Sequence, residues 1–309
     1  MKALKSAVKS VLHSIHKRRR ESELHASVVH VTSAQLQADL RSLGLLPGDV
    51  VWVHSSLKSL GYVEGGAKAV IDALWQSIQP GGTLVIPAYY MLGTILGTCQ
   101  DPDYVFDPRA MGSNLGAISD TVLKWPGVRR SIHPTHSIAA IGPLAQDIVG
   151  DHHRARSAFG QDSPWQRFTA INGKLMGLGI SLGPVTYYHH IENMLGDDFP
   201  VEVGYPRRFD LRCVDFEGRP LTVPVTPFNP DLMPVRIDHP SQQANRDAFW
   251  AEFTARGILH TGPVGQSVSW WMHSQEAFDA ICDMARHDRT VYALPEGAPQ
   301  RRRPAGIRS

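Results

Sequence analysis

Cysteine is scarce in this chain: Cys99, Cys213 and Cys282 are the three among 309 residues, far apart and odd in number. No C-x-x-C pair occurs, so neither a disulfide framework nor a structural zinc site is indicated. A reducing, cytoplasmic compartment is the expectation. Also missing is any run of about 18 apolar residues, so no membrane span is expected. The N-terminus lacks the apolar centre and cleavage site of a secretory signal. A dominant charge is absent too. Lys and Arg number 31 against 29 Asp and Glu, a balance that gives no general attraction to nucleic acid. The glycines form neither G-x-G-x-x-G nor a Walker A sequence, which removes the nucleotide sites those motifs build.

What remains is ordinary globular material. Hydrophobic residues make up 42% and charged residues 19%, enough for one large or two modest domains with a buried core. Basic residues gather at the ends, in "HKRRRES" and in the closing "QRRRPAGIRS". Residues 1–17 place Leu4, Ala7, Val8, Val11, Leu12 and Ile15 on one helical face, and Lys2, Lys5, Lys9, His13 and His16 on the other. Such a basic amphipathic helix suits peripheral contact with an anionic membrane, a homo-oligomer contact, or docking on its own domain. Four regions are expected: an N-terminal extension (1–30), an α/β core (31–199), an α+β region (200–294) and a basic tail (295–309).

The core opens with a helix capped by Thr32 or Ser33, its stripe formed by Leu36, Leu40 and Leu43. "PGDVVWVHSSL" reads as a turn and a buried strand, Val50 to His54. A glycine-bearing loop, the helix "AKAVIDALWQSI", the turn "QPGG" and the strand "TLVIP" follow. Strand, helix, strand is a βαβ unit and implies parallel strands. The alternation continues to the strand "KLMGLG" and a Gly-rich turn into "VTYYHHIENML". Ligands of open α/β sheets collect at the carboxyl ends of strands, where His54 and the 185–195 segment fall. Beyond residue 200, "RFDLRCVDFEGRPLTVPV" reads as two strands, and two amphipathic helices flank "ILHTGPVGQSVSWW".

Four segments offer chemistry. "VHSSLKSLG" sets His54, Ser55 and Ser56 where hydroxyls and backbone N–H groups suit phosphate or amide oxygens; capping serines in a plain turn look the same. "RRSIHPTHS" groups Arg129, Arg130, Ser131, His133, His136 and Ser137, as a phosphate-rich ligand or a Pro-braced surface loop would need. "DSPWQRF" is a helix start, with Ser163 as cap and Pro164 in first position. In "TYYHHIENM", His189 and Glu192 are three apart, so the carboxylate reaches the imidazole. Histidine accepts a proton near neutral pH. Yet Thr186, His189, His190, Glu192 and Asn193 fill one half of the helical wheel, which is also how a solvated face reads.

In this order, "VHSSLKSLGYVEGGAKAVIDAL", "GGTLVIPAY", "FDPRAMGSNLGAISD", "RRSIHPTHSIAAIG", "FGQDSPWQRF" and "TYYHHIENML" resemble the aminoglycoside 3-N-acetyltransferase family, the antibiotic N-acetyltransferases. The resemblance covers roughly residues 33–196. It implies a family-specific α/β fold with a largely parallel central sheet plus a C-terminal α+β region. It implies acetyl-CoA as co-substrate, bound around His54, Ser55, Ser56 and Leu57, with Arg129, Arg130 and Ser131 toward the CoA phosphates. In the family's T-x-x-H-x-x-E pattern, Thr186, His189 and Glu192 match, and His189 is the implied general base for direct acetyl transfer to an amine. Beside it stands a second histidine, His190, and Val185 occupies a position where many relatives carry asparagine.

The acceptor implied is an aminoglycoside or related amino sugar. A polycation calls for carboxylates, but residues 200–240 mix Glu202, Asp210, Asp215, Glu217, Asp231 and Asp238 with Arg207, Arg208, Arg212, Arg219 and Arg236. A small amine with its own negative charge is the variant this mixture suggests. Two alternatives lie outside the class: a metal-dependent hydrolase using His189, Glu192 and His136, and a CoA-binding homologue without catalysis. The spacing lacks the i, i+4 histidine pair of H-E-x-x-H, and no metal is expected.

Overall fold

The inner strands are buried, largely apolar runs whose successive side chains point to opposite faces of the sheet, and both faces are therefore covered in layers. The computed structural model describes residues 30–294. In order, the chain forms β1 (His30–Val31), α1 (Ser33–Ser42), β2 (Val50–Ser55), β3 (Tyr62–Val63), α2 (Gly66–Ile78), β4 (Thr83–Pro87), α3 (Ile95–Gln100), β5 (Val105–Phe106), α4 (Ala117–Val122), β6 (Arg129–Arg130) and β7 (Ile138–Ile141). It continues through α5 (Ala145–Val149), α6 (Pro164–Ala170), β8 (Lys174–Leu178), α7 (Tyr188–Leu195), β9 (Phe209–Val214), β10 (Pro220–Val225), α8 (Gln243–Ala255), β11 (His260–Val264), β12 (Ser267–His273) and α9 (Ser274–Arg286). Caps set two of the helix starts. Thr32 Oγ1 accepts the Gln35 N–H at 3.1 Å, and Ser163 Oγ accepts that of Gln166 ahead of Pro164.

The main sheet has seven strands in the order β11-β12-β8-β2-β4-β7-β6. Parallel pairing holds for the central three, β8-β2-β4, and every flanking pair is antiparallel. The sheet is therefore mixed, with a parallel centre. The flanking strands come as sequence neighbours, β6 with β7 and β11 with β12, that pair antiparallel with each other and dock antiparallel on the parallel centre, β7 on β4 and β12 on β8.

Both sheet faces are covered. Trp52, Val85, Leu175 and Trp270 face a core shared with Phe168, Ile191, Phe253 and Ile281. Val51, Val53, Leu84 and Met176 face the opposite core with Leu36, Leu40, Val70 and Leu74. Three layers result, helices on each side of a sheet. A third cluster around Phe106, Leu211, Cys213 and Val223 belongs to a separate three-stranded sheet, β10-β9-β5. Residues beyond 200 are thus woven into the earlier part: β11 and β12 extend the main sheet, and β9 pairs with β5. The amphipathic segment 1–17 and the tail 295–309 lie outside the described residues. Among the described residues, no helix is long and apolar enough to cross a membrane.

Candidate active site

Strands β2 and β8 run side by side, with His54 opposite Gly177 and Ser55 opposite Leu178. Beyond them, Gly179 turns at φ +67°, a backbone conformation that glycine takes without penalty. The following loop leads to α7, which starts at Tyr188 rather than Val185. Thr186 therefore sits in the turn before the helix, its carbonyl accepting the His189 N–H at 3.1 Å.

The polar half of α7 is not a wet face. His189, His190 and Glu192 are all buried, as are Tyr188 and Ile191 on the other half. Buried polar groups need partners, and these have them. His189 Nδ1 donates to Glu192 Oε2 at 2.7 Å, and Glu192 Oε1 accepts from the Tyr292 hydroxyl at 2.9 Å. His190 Nδ1 donates to the Phe159 carbonyl at 2.6 Å. The His189 ring stacks on Phe228, with centroids 3.8 Å apart and planes at 24°. With Nδ1 taken, the His189 imidazole has only Nε2 to offer the cavity it lines.

That cavity has a volume of about 470 Å³. His54 and Ser55 line it from the end of β2, Thr186 and His189 from the approach to α7 and its first turn, and Tyr89, His136, Phe228, Arg236 and Asp238 from surrounding loops. The Tyr89 hydroxyl donates to Thr186 Oγ1 at 3.0 Å. Burial pushes the Tyr89 phenol well above its ordinary range, so Tyr89 stays a donor and the Thr186 proton is left for another acceptor. Arg236 and Asp238 neutralise each other through two bonds of 2.6 Å. His54 is held neutral by burial, its pKa lowered to about 3, and its Nε2 is buried without a hydrogen-bond partner. His136 is likewise kept well below the usual histidine range, first by burial and then by the neighbouring His189 and His152.

Other expected site residues are not brought to this cavity. Ser56 and Leu57 follow Ser55 but are not part of its lining. The Ser56 hydroxyl accepts from Ser59 at 2.8 Å. Arg129 is exposed on the edge strand β6 and lines a different groove. Arg130 also borders that groove, but it is buried and acts as an internal brace. Its guanidinium donates to Ser137 Oγ and to the carbonyls of Ala88, Pro108, Met111 and Gly112, over the ring of Phe106. Ser131 is buried as well, bonded to His152 Nδ1 at 2.9 Å and to the Ile138 N–H at 2.8 Å. His152 Nε2 meets the Ala158 carbonyl. Among the described residues, no group of three or more His, Cys, Asp or Glu is arranged to hold a metal ion.

Sequence reasoning missed Tyr89, Phe228 and Tyr292. Tyr89 closes the stretch "GGTLVIPAY" without a role of its own there, and Phe228 and Tyr292 lie in no motif; Tyr89 bonds Thr186, Phe228 stacks on His189 and Tyr292 bonds Glu192, contacts that only the tertiary fold makes. The Arg236–Asp238 spacing was the one local signal available in that region, an ion pair two residues apart.

Comparison with known proteins gives the family and the fold. A family model described as aminoglycoside 3-N-acetyltransferase matches residues 52–286. Aminoglycoside N(3)-acetyltransferase III of Serratia marcescens is 34% identical over 219 residues, covering 61% of this chain and 81% of that protein. A crystal structure of aminoglycoside acetyltransferase AAC(3)-Xa superposes with a TM-score of 0.72 at 25% identity, covering 88% of this chain and 99% of that one. A histidine-to-alanine mutant of AAC(3)-IVa, in complex with a gentamicin, superposes at 0.70 and 26% identity, over 88% and 95% of the two chains. With the match to the family model spanning both the β2 loop and the whole of α7, the chain belongs to the aminoglycoside 3-N-acetyltransferase family.

Proposed function

We propose that this protein transfers the acetyl group of acetyl-CoA directly to an amine of an aminoglycoside or related amino sugar, with His189 as general base. Family membership makes the chain an acetyltransferase that uses acetyl-CoA as co-substrate. The acceptor and the residue roles are this reading's own. The observation that carries it is the buried His189–Glu192 pair, whose histidine lines the same cavity as His54 and Ser55. The gentamicin complex of AAC(3)-IVa supports the acceptor class.

The chemistry follows from that geometry. An amine attacks only through its lone pair. As its nitrogen adds to the thioester carbonyl, His189 Nε2 takes the proton that nitrogen sheds. Glu192 fixes the tautomer and stabilises the cation formed. The carbonyl oxygen gains charge, and the Thr186 hydroxyl, its own acceptor site filled by Tyr89, is a donor for it. The C–S bond then breaks, the imidazolium returns its proton to the CoA sulfur, and the products are an amide and the free thiol. His54 and Ser55, at the end of β2, are the proposed CoA contacts. Acetylation removes a positive charge from the acceptor at neutral pH, which is a route to antibiotic resistance.

The test is thiol release from acetyl-CoA with a panel of aminoglycosides and amino sugars. A productive amine should give intersecting initial-velocity lines, as direct transfer in a ternary complex requires. Parallel lines would mark a covalent enzyme intermediate and overturn direct transfer; no release with any amine would leave only CoA binding.

A further inference from the structure

Glu192 uses its two oxygens differently: Oε2 holds His189 Nδ1 at 2.7 Å, and Oε1 accepts the Tyr292 hydroxyl at 2.9 Å. We propose that Tyr292 is a positioning residue of the transfer reaction, its hydroxyl locking the Glu192 carboxylate so that His189 presents Nε2 to the acceptor amine. This rests on the reading of His189 as base. Tyr292 lies beyond residue 286, where the match to the family model ends, so the role is assigned from this chain's own contacts.

Burial makes the contact consequential. Glu192 is 3% exposed and Tyr292 5%, and a carboxylate oxygen left unpaired at such depth is costly. Tyr292 is also a dependable donor. Burial, followed by the adjacent Glu192, holds its phenol well above the ordinary range. Its position is set by backbone. The Ile237 N–H donates to the Val291 carbonyl at 2.7 Å, and the Ala293 N–H to the Val235 carbonyl at 2.8 Å. Segment 291–293 is thereby sewn to segment 235–237, which leads into the cavity-lining pair Arg236 and Asp238. The titratable groups around His189 and Glu192 include Tyr292 from this strap, Arg236 and Asp238 from the paired segment, and His136 from the β6–β7 loop; Arg156, Asp197, Glu202 and Arg208 line the groove on the other side of Glu192. Arg236 and Asp238 pair with each other, and burial keeps His136 neutral. The Tyr292 hydroxyl is therefore the group bonded directly to the free side of the carboxylate.

The experiment is Tyr292→Phe in the full chain, assayed by thiol release across pH. A carboxylate that loses a donor keeps more negative charge and holds an imidazolium more tightly. The acid limb of kcat/KM should therefore move upward by about half a pH unit, with kcat lowered about tenfold and KM for both substrates unchanged. A purely structural tyrosine would lower Tm and leave the limb in place, and that result overturns the proposal. A double-mutant cycle gives the second reading: Tyr292→Phe should add little to the loss caused by Glu192→Gln, and fully additive losses count against it. Normal turnover by His189→Gln would instead strike the base assignment, whatever Tyr292 does.

Discussion

Arg130 and His190 show how much a side chain's role depends on partners that are remote in sequence. Beside Arg129, Arg130 reads as half of an anion site. In the fold it is buried, and its donors go to carbonyls contributed by Ala88 and the 108–112 segment. Burial lowers its pKa to about 10, so it remains a cation at neutral pH. Arg130→Met should cost about 3 kcal/mol or more, because several buried carbonyls lose their donors at once, while KM for acetyl-CoA stays at the wild-type value. Chemical denaturation and steady-state kinetics check this, and a raised KM with unchanged stability would restore the phosphate role. His190 differs from its neighbour in the same way. Its Nδ1 is bound to the Phe159 carbonyl and its ring lies near Tyr187 and Phe278, whereas His189 lines the cavity.

At the level of elements, the sequence was most legible where structure is local. The Thr32 and Ser163 caps depend on neighbours within a few residues, the buried strand from Val50 and the strand "TLVIP" on their own short apolar runs, and the βαβ order joins the two in parallel; all stand in the fold. The antiparallel flanks of the main sheet were not legible, because hairpin partners such as β12 dock on β8 about 90 residues away. That docking is close: a Cβ on Gly177 would lie 2.2 Å from Trp270 Cε2. Helix α7 is the instructive case. Its wheel splits polar from apolar, and periodicity cannot tell solvent from a polar interior. Phe228, the Phe159 loop and the 290–294 strap decide it by covering the polar side. The pattern around Thr186, His189 and Glu192 pointed to chemistry, but Tyr292 stands 100 residues from Glu192 and left no local trace.

For the molecule as a whole, buried neutral histidines set the response to acid. Desolvation lowers His54 and His152 to about 3 and His190 to about 4, and holds His133 and His136 well below 6.5. Unfolded, each would protonate near 6.5, so below that pH the unfolded chain binds more protons and stability falls as pH drops toward about 4. Between about pH 6.5 and about pH 5 the loss should be steeper than about 1.4 kcal/mol per pH unit, the limit for one group. Denaturant titrations across that window measure it, and a flat profile would show that these rings are not buried neutral together. The layers, the strap and the aromatic packing converge on one atom, Nε2 of His189. The direct test is turnover of His189→Ala with acetyl-CoA and a productive aminoglycoside, alongside calorimetry with CoA. A general-base role for His189 predicts a rate at least about a hundredfold lower with CoA binding retained; transfer at the wild-type rate would rule that role out.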